Sequence, residues 1–145
     1  MVSLSGVAGG YNDQSRLNGA IYTGITYQAG VFVTRNAAGN SDEVHSAAVV
    51  AATVKNDFAG VLVDDVYVYD GAEDSQVRMV VKGPVNIKMA AGQVPVRGGS
   101  VFIGKANGLG YTTVASNAAL QVDATFNREE GDGVWQIELH KLGGI

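Results

Sequence analysis

There is no cysteine in this 145-residue chain. That excludes disulfides and thiolate metal sites, and it leaves the redox compartment open. Proline is almost as scarce, at two residues. Charge is thin as well: 17% of residues are charged against 46% hydrophobic, with a net charge of −4. No apolar run approaches the roughly 18 residues of a membrane-spanning helix. No basic region followed by an apolar core opens the chain, so no secretory signal is expected and Met1 reads as the start of the working protein. An acidic chain without a basic cluster argues against direct nucleic-acid binding. With only His45 and His140 available, histidine chemistry is also poorly supplied.

What is abundant is glycine, at 20 residues. Glycine and proline together stay well below the quarter or more of residues expected of a disordered low-complexity chain. The length suits a single domain, and a chain of about 150 residues buries roughly 68–70% of its unfolded surface without covalent staples. The charge is blocked along the sequence. Residues 41–76 carry eight acids against Lys55, whereas residues 77–112 carry five bases (Arg78, Lys82, Lys88, Arg97, Lys105) and no acid. Such blocks pair as neighbouring strands within one sheet, or they meet between subunits and set the register of an assembly.

The organising stretch runs from Gln76 to Thr113. Apolar residues recur at every second position as Val77, Met79 and Val81, and again as Val85, Ile87 and Met89. Successive strand side chains point to opposite faces, so this beat buries one face of each run. Gly83-Pro84 reads as a break between two strands. Val94-Pro95-Val96 is a further short apolar stretch, and Val101-Phe102-Ile103 follows the Gly98-Gly99 turn. Upstream, Val31 to Thr34 and Phe58 to Val63 read as strands. Val66 to Tyr69, the turn Asp70 to Asp74 and the run from Val77 read as a hairpin with a long loop. Residues 43–56 fit either period, and their valines tip the reading toward strand or irregular structure. Leu120, Val122, Ala124 and Phe126 face Trp135, Ile137 and Leu139 across an acidic turn, which predicts a terminal hairpin. About ten short strands with turns every ten residues and no interleaved helices predict an all-β sandwich or barrel. Residues 1–30 are small, polar and glycine-laced. They read as an extended N-terminal arm, with residues 31–145 as a single β domain.

Each chemical constellation has a plainer reading. Asp64 and Asp65 are adjacent, so on a strand they point to opposite faces and read as a polar strand end rather than a glycosidase pair. Glu138 and His140 share a strand face without a third metal ligand. Gly104-Lys105-Ala106-Asn107-Gly108 lacks the Gly-Lys-Ser/Thr leading into a helix that a phosphate loop needs, and reads as a turn. Trp135 alternates with Ile137 and Leu139, which makes it core rather than a sugar platform. No catalytic, cofactor-binding or metal-binding residue is therefore assigned.

The order of signals from Phe58 to Leu139 resembles the structural cement, or head decoration, proteins of tailed bacteriophages. The likeness rests on the strand Phe58-Ala59-Gly60-Val61, the short strand Val85-Asn86-Ile87, the step Val96-Arg97-Gly98-Gly99-Ser100-Val101 and the hairpin Gly110-Tyr111-Thr112-Thr113. These motifs are turn glycines and apolar beats, and the long N-terminal segment departs from the pattern. The resemblance implies a β-barrel-like or β-tulip-like subunit without an active site or cofactor. It further implies a homotrimer, made in the host cytoplasm and bound to the major capsid protein on the outer surface of the virion. Within the arm, Val2, Leu4, Tyr11, Arg16, Leu17 and Tyr22 are the candidate capsid or oligomer contacts. The rival is a carbohydrate- or receptor-binding β module using exposed aromatics such as Tyr67 and Tyr69.

Overall fold

A computed structural model describes residues 13–18, 25–35, 44–48, 51–63, 66–68 and 76–142. Among them are eleven strands: β1 (Asp13–Asn18), β2 (Ile25–Tyr27), β3 (Phe32–Arg35), β4 (Val44–Ser46), β5 (Phe58–Leu62), β6 (Val66–Val68), β7 (Gln76–Lys88), β8 (Ser100–Gly104), β9 (Gly110–Tyr111), β10 (Ala119–Gly131) and β11 (Val134–Lys141). The expected all-β class holds, and the helical content of the described residues is one 3-10 turn, Lys55–Asp57. Strand brevity does not hold throughout, because β7 and β10 each run 13 residues.

Nine strands form one curled sheet in the order β4-β3-β5-β7-β11-β10-β8-β9, with β1 also on β7. Every ladder in it is antiparallel. β2 and β6 form a separate pair. The curl returns the far edge to the middle: Ala90 N donates to Gly110 O at 2.9 Å, and Met89 bridges Gly110 in parallel.

Gly83-Pro84 does not end a strand. The chain stays extended through it and changes partners instead. Residues 76–82 pair with β1, with Val80 and Met79 also opposite β5, whereas residues 83–88 pair with β11. Gly83 has φ of 101°, open to a glycine and costly for other residues. Pro84 has no N–H, so the switch forfeits a donor at the position where the ladder is already changing hands. This junction also shifts the alternation by one. The core takes Val80 before it and Val85 and Ile87 after it, while Met79 is buried outside the main core cluster. The hairpin expected between Val66–Tyr69 and Val77 is not formed either. Among the described residues β6 pairs with β2, because both edges of β7 near its start are taken by β5 and β1.

The core joins Phe32, Phe58, Val61, Val80, Val85, Ile87, Val101, Ile103, Val122, Ala124, Phe126, Ile137 and Leu139. Burying each large side chain contributes about 1.5–3 kcal/mol. All five residues of β5 are buried, as a strand covered on both faces requires. The terminal hairpin is as read, with Phe126 opposite Ile137 and Ala124 opposite Leu139. Trp135 packs edge-on against Phe126 at 5.8 Å, which places it with the core. Of residues 43–56, those described form the short strand β4, a turn and the start of the 3-10 turn, with no α-helix among them.

Two local devices hold the ends of the sheet. The β8–β9 turn docks on β3, where Phe32 N donates to Gly108 O at 3.0 Å. Gly108 has φ of 71°, and a Cβ there would overlap the Phe32 carbonyl oxygen. Gly108→Ala therefore lowers stability by about 1–3 kcal/mol, read as a drop in Tm. At the 3-10 turn, Asp57 Oδ2 accepts from Thr53 N, Thr53 Oγ1 and Val54 N at 2.8, 2.9 and 3.2 Å. Partial burial pushes the Asp57 carboxyl up, but these hydrogen bonds outweigh it and hold the group below its ordinary value. A depressed folded value contributes stability above the unfolded carboxylate pKa of about 3.9, lost as pH falls through the folded value. Asp57→Asn thus costs about 0.5–1.5 kcal/mol at neutral pH. The gap to the unsubstituted chain closes on titration below about pH 4, measured by urea unfolding across pH.

Candidate interaction surface

Between β7 and β8 the chain leaves the sheet. Val94 is 80% exposed and Val96 71%, while Pro95 between them is buried. Burial of the proline anchors the loop and leaves both valines facing water. The residue before a proline is biased to extended backbone, and proline fixes its own φ, so Val94-Pro95 is held open rather than coiled. The ends of the loop are pinned. Gln93 Oε1 accepts from Thr112 N and Thr112 Oγ1, both at 2.9 Å. Gly99 N donates to Val96 O at 2.8 Å, and Gly98 N donates to Phe126 O at 2.8 Å. Val94, Val96 and Arg97 donate no backbone hydrogen bond among the described residues. Arg97 is exposed and makes no ion pair among them.

The Gln93–Thr112 contact ties this loop to residues 112–118, where Val114 is 49% exposed. Ala115, Ser116 and Asn117 have φ of 52°, 56° and 73°, three successive left-handed residues without a glycine. Left-handed backbone costs a residue with a Cβ roughly 1–2 kcal/mol. The turn persists because Ala115 N donates to Thr113 Oγ1 at 3.1 Å, Ala118 N to Ala115 O at 3.1 Å and Ala119 N to Val114 O at 3.0 Å.

One polar groove of about 410 Å³ opens elsewhere, lined by Lys55, Ser100, Gln121, Val122, Asp123, Ala124 and Thr125. It arises where the β8–β10 register slips between Val122 and Thr125. It brings a single carboxylate to its wall, so paired-acid chemistry has no second partner there. Among the described residues no three His, Asp or Glu gather as a metal site. His140 is exposed, with Nε2 3.4 Å from Thr125 Oγ1.

The arm candidates divide by position. Val2, Leu4, Tyr11 and Tyr22 lie outside the described residues, as do Asp64, Asp65 and Tyr69. Arg16 and Leu17 lie on β1, opposite Arg78 and Val77 of β7. The exposed valines carried a sequence signal, two apolar residues around a proline, which reads from the sequence only as a short apolar stretch.

The chain is similar in fold to a solved chain described as "The capsid of Myoviridae Phage XM1". The two share 19% sequence identity with a TM-score of 0.70, over 97% of this chain and 92% of that one. No protein-family model and no curated protein matches the chain. At this identity the likeness establishes a shared fold. It spans nearly the full length of both chains.

The strained turn yields a direct expectation. Ala115→Gly relieves a left-handed alanine and raises stability by about 0.4–1 kcal/mol, less than the full strain because glycine loosens the unfolded chain. A rise in Tm checks it.

Proposed function

We propose that this chain is a structural protein of a phage head, a decoration subunit that binds the outer capsid surface as a homotrimer. The observation that carries the reading is the near full-length fold likeness to a chain from a phage capsid. The exposed, anchored valine loop supports it, because bare apolar residues held on a rigid frame suit contact with another protein. On this reading the curled sheet is a β-tulip-like body. Residues 1–30 are the arm that reaches the major capsid protein or a sister subunit, with Val2, Leu4, Tyr11, Arg16, Leu17 and Tyr22 as its contacts. Strand pairing of the kind β1 makes with β7 needs backbone rather than particular side chains. Individual contacts are weak, and three per trimer gain by effective concentration. The subunit stabilises the shell against internal DNA pressure by bridging capsid subunits and carries out no bond-breaking step.

The test is co-sedimentation with phage heads lacking decoration, followed by heating of the decorated heads. The full chain binds and raises the temperature of head disruption. Removal of residues 1–12, which leaves β1 in place, keeps the melting curve and loses most of the protection. Absence of binding by the full chain overturns the capsid reading, and full protection by the truncated chain removes the arm from it.

A further inference from the structure

We propose that Asn107-Gly108, in the turn between β8 and β9, is a self-modifying site. When the turn opens, the Asn107 side chain cyclises onto the Gly108 nitrogen, and the isoaspartate that follows releases the turn from β3. The proposal goes beyond the structural role above and concerns the chain on its own.

The chemistry belongs to the pair itself. The Gly108 backbone nitrogen, giving up its proton, attacks the side-chain carbonyl carbon of Asn107. The new C–N bond closes a cyclic imide, the bond to Nδ2 breaks, and Nδ2 departs as ammonia. Water then opens the imide at either carbonyl, leaving aspartate or, with the main chain rerouted through the side chain, isoaspartate. Glycine favours the closure because no Cβ obstructs the approach and its backbone turns freely.

The closed turn holds the reacting groups apart. Asn107 Oδ1 accepts from Leu109 N at 3.0 Å, and Nδ2 donates to Tyr111 Oη at 2.9 Å. Gly108 N, the nucleophile, is buried and donates to Gly104 O at 3.0 Å, while Asn107 itself is exposed. Gly104 leaves the space that Asn107 fills, since a Cβ there would overlap Oδ1. Attack requires Gly108 N to drop its bond and the side-chain amide to leave both of its own. The reaction therefore runs from a locally opened turn.

The two products differ in what they do to the fold. The turn is tied down by Phe32 N donating to Gly108 O at 3.0 Å and Ala52 N donating to Lys105 O at 2.9 Å. It is closed across its base by Gly104 N donating to Leu109 O at 2.9 Å. Aspartate keeps this arrangement, because one oxygen still accepts from Leu109 N and the Tyr111 hydroxyl rotates to donate to the other. Isoaspartate lengthens the main chain by a carbon between Gly104 and Leu109, so the base and the bond to Phe32 no longer close together. Each opening thus carries a chance of a one-way loss of this end of the sheet.

Peptide mapping by mass spectrometry tests this on the full chain, incubated in mildly alkaline buffer with and without urea. Mapping also separates residue 107 from the other Asn-Gly pair, Asn18-Gly19. In urea, isoaspartate accumulates at residue 107; in the folded chain it forms at least about tenfold more slowly. Tyr111→Phe removes the acceptor of Nδ2 and raises the folded rate about 2- to 10-fold, with the rate in urea unchanged. For stability, an Asn18→Gln chain is aged in urea, and its charge-shifted fraction is refolded. That fraction melts below Asn18→Gln with Asn107→Asp, which carries the same charge on an ordinary backbone and keeps the Tm of Asn18→Gln. A pair that stays intact in urea overturns the proposal, as do equal rates in the folded and unfolded chains. So does an unchanged folded rate in Tyr111→Phe, or an aged fraction that melts with its aspartate counterpart.

Discussion

The fold depends on a single strand that serves two sets of partners. β7 is held by β5 and β1 over its first half and by β11 over its second. If it ended at Gly83, the two parts of the sheet would be joined only by loop contacts. Because it continues, the backbone ladder is unbroken across the centre, and both parts feed one core that runs from Phe32 and Phe58 to Ile137 and Leu139. Only a glycine takes φ of 101° without strain. That one position shifts the alternation, so Val80 and Val85 reach the same core from positions of opposite parity.

Curling disposes of most edges. Gly110 lets the last strand come back against Met89, close enough that a Cβ there would press on the Ile87 and Met89 side chains. A sheet that returns on itself exposes little unpaired backbone, which is how all-β proteins avoid indiscriminate association. The places where backbone pairing stops are therefore informative. One, among the described residues, is the anchored loop around Pro95, and another is the far edge of β6, outside the main sheet. Both bear a biased charge in the sequence around them, and the biases have opposite sign.

Much of this was legible in the residues. Alternation and glycine spacing give the all-β class, and the run from Leu120 to Leu139 gives its hairpin without the three register shifts observed in it. The core reading of Trp135 follows from the same beat and is seen against Phe126. The misreadings share one cause: alternation reports which residues want burial, but not which strand lies alongside. Gly83-Pro84 marks a real discontinuity, and composition cannot distinguish a chain break from a change of partner. Asp70-Gly71 suggested that β6 pairs with its sequence neighbour, yet the edges of β7 were occupied by β1, far away in sequence, and by β5. Val94-Pro95-Val96 alternates like a strand, and only the burial of its proline turns both valines outward. For the arm, a polar glycine-rich sequence gave no register, and the pairing of Arg16 opposite Arg78 is the kind of like-charge match that cross-strand rules would have argued against.

The distribution of strain and exposure bears on what kind of function such a frame supports. A chain selected for its own stability alone has no reason to keep three left-handed residues without a glycine, or two valines in water, on loops joined by the Gln93–Thr112 contact. Both features cost free energy in the isolated subunit. They become favourable when a partner covers the valines and the strained turn fixes the neighbouring loop in the shape that the partner meets, since ordering is then already complete before contact. The polar groove, with its single carboxylate, has no left-handed residue at its wall. Here the cost sits instead on an apolar surface held by the sheet, and the proposed contact with another protein rests on that placement.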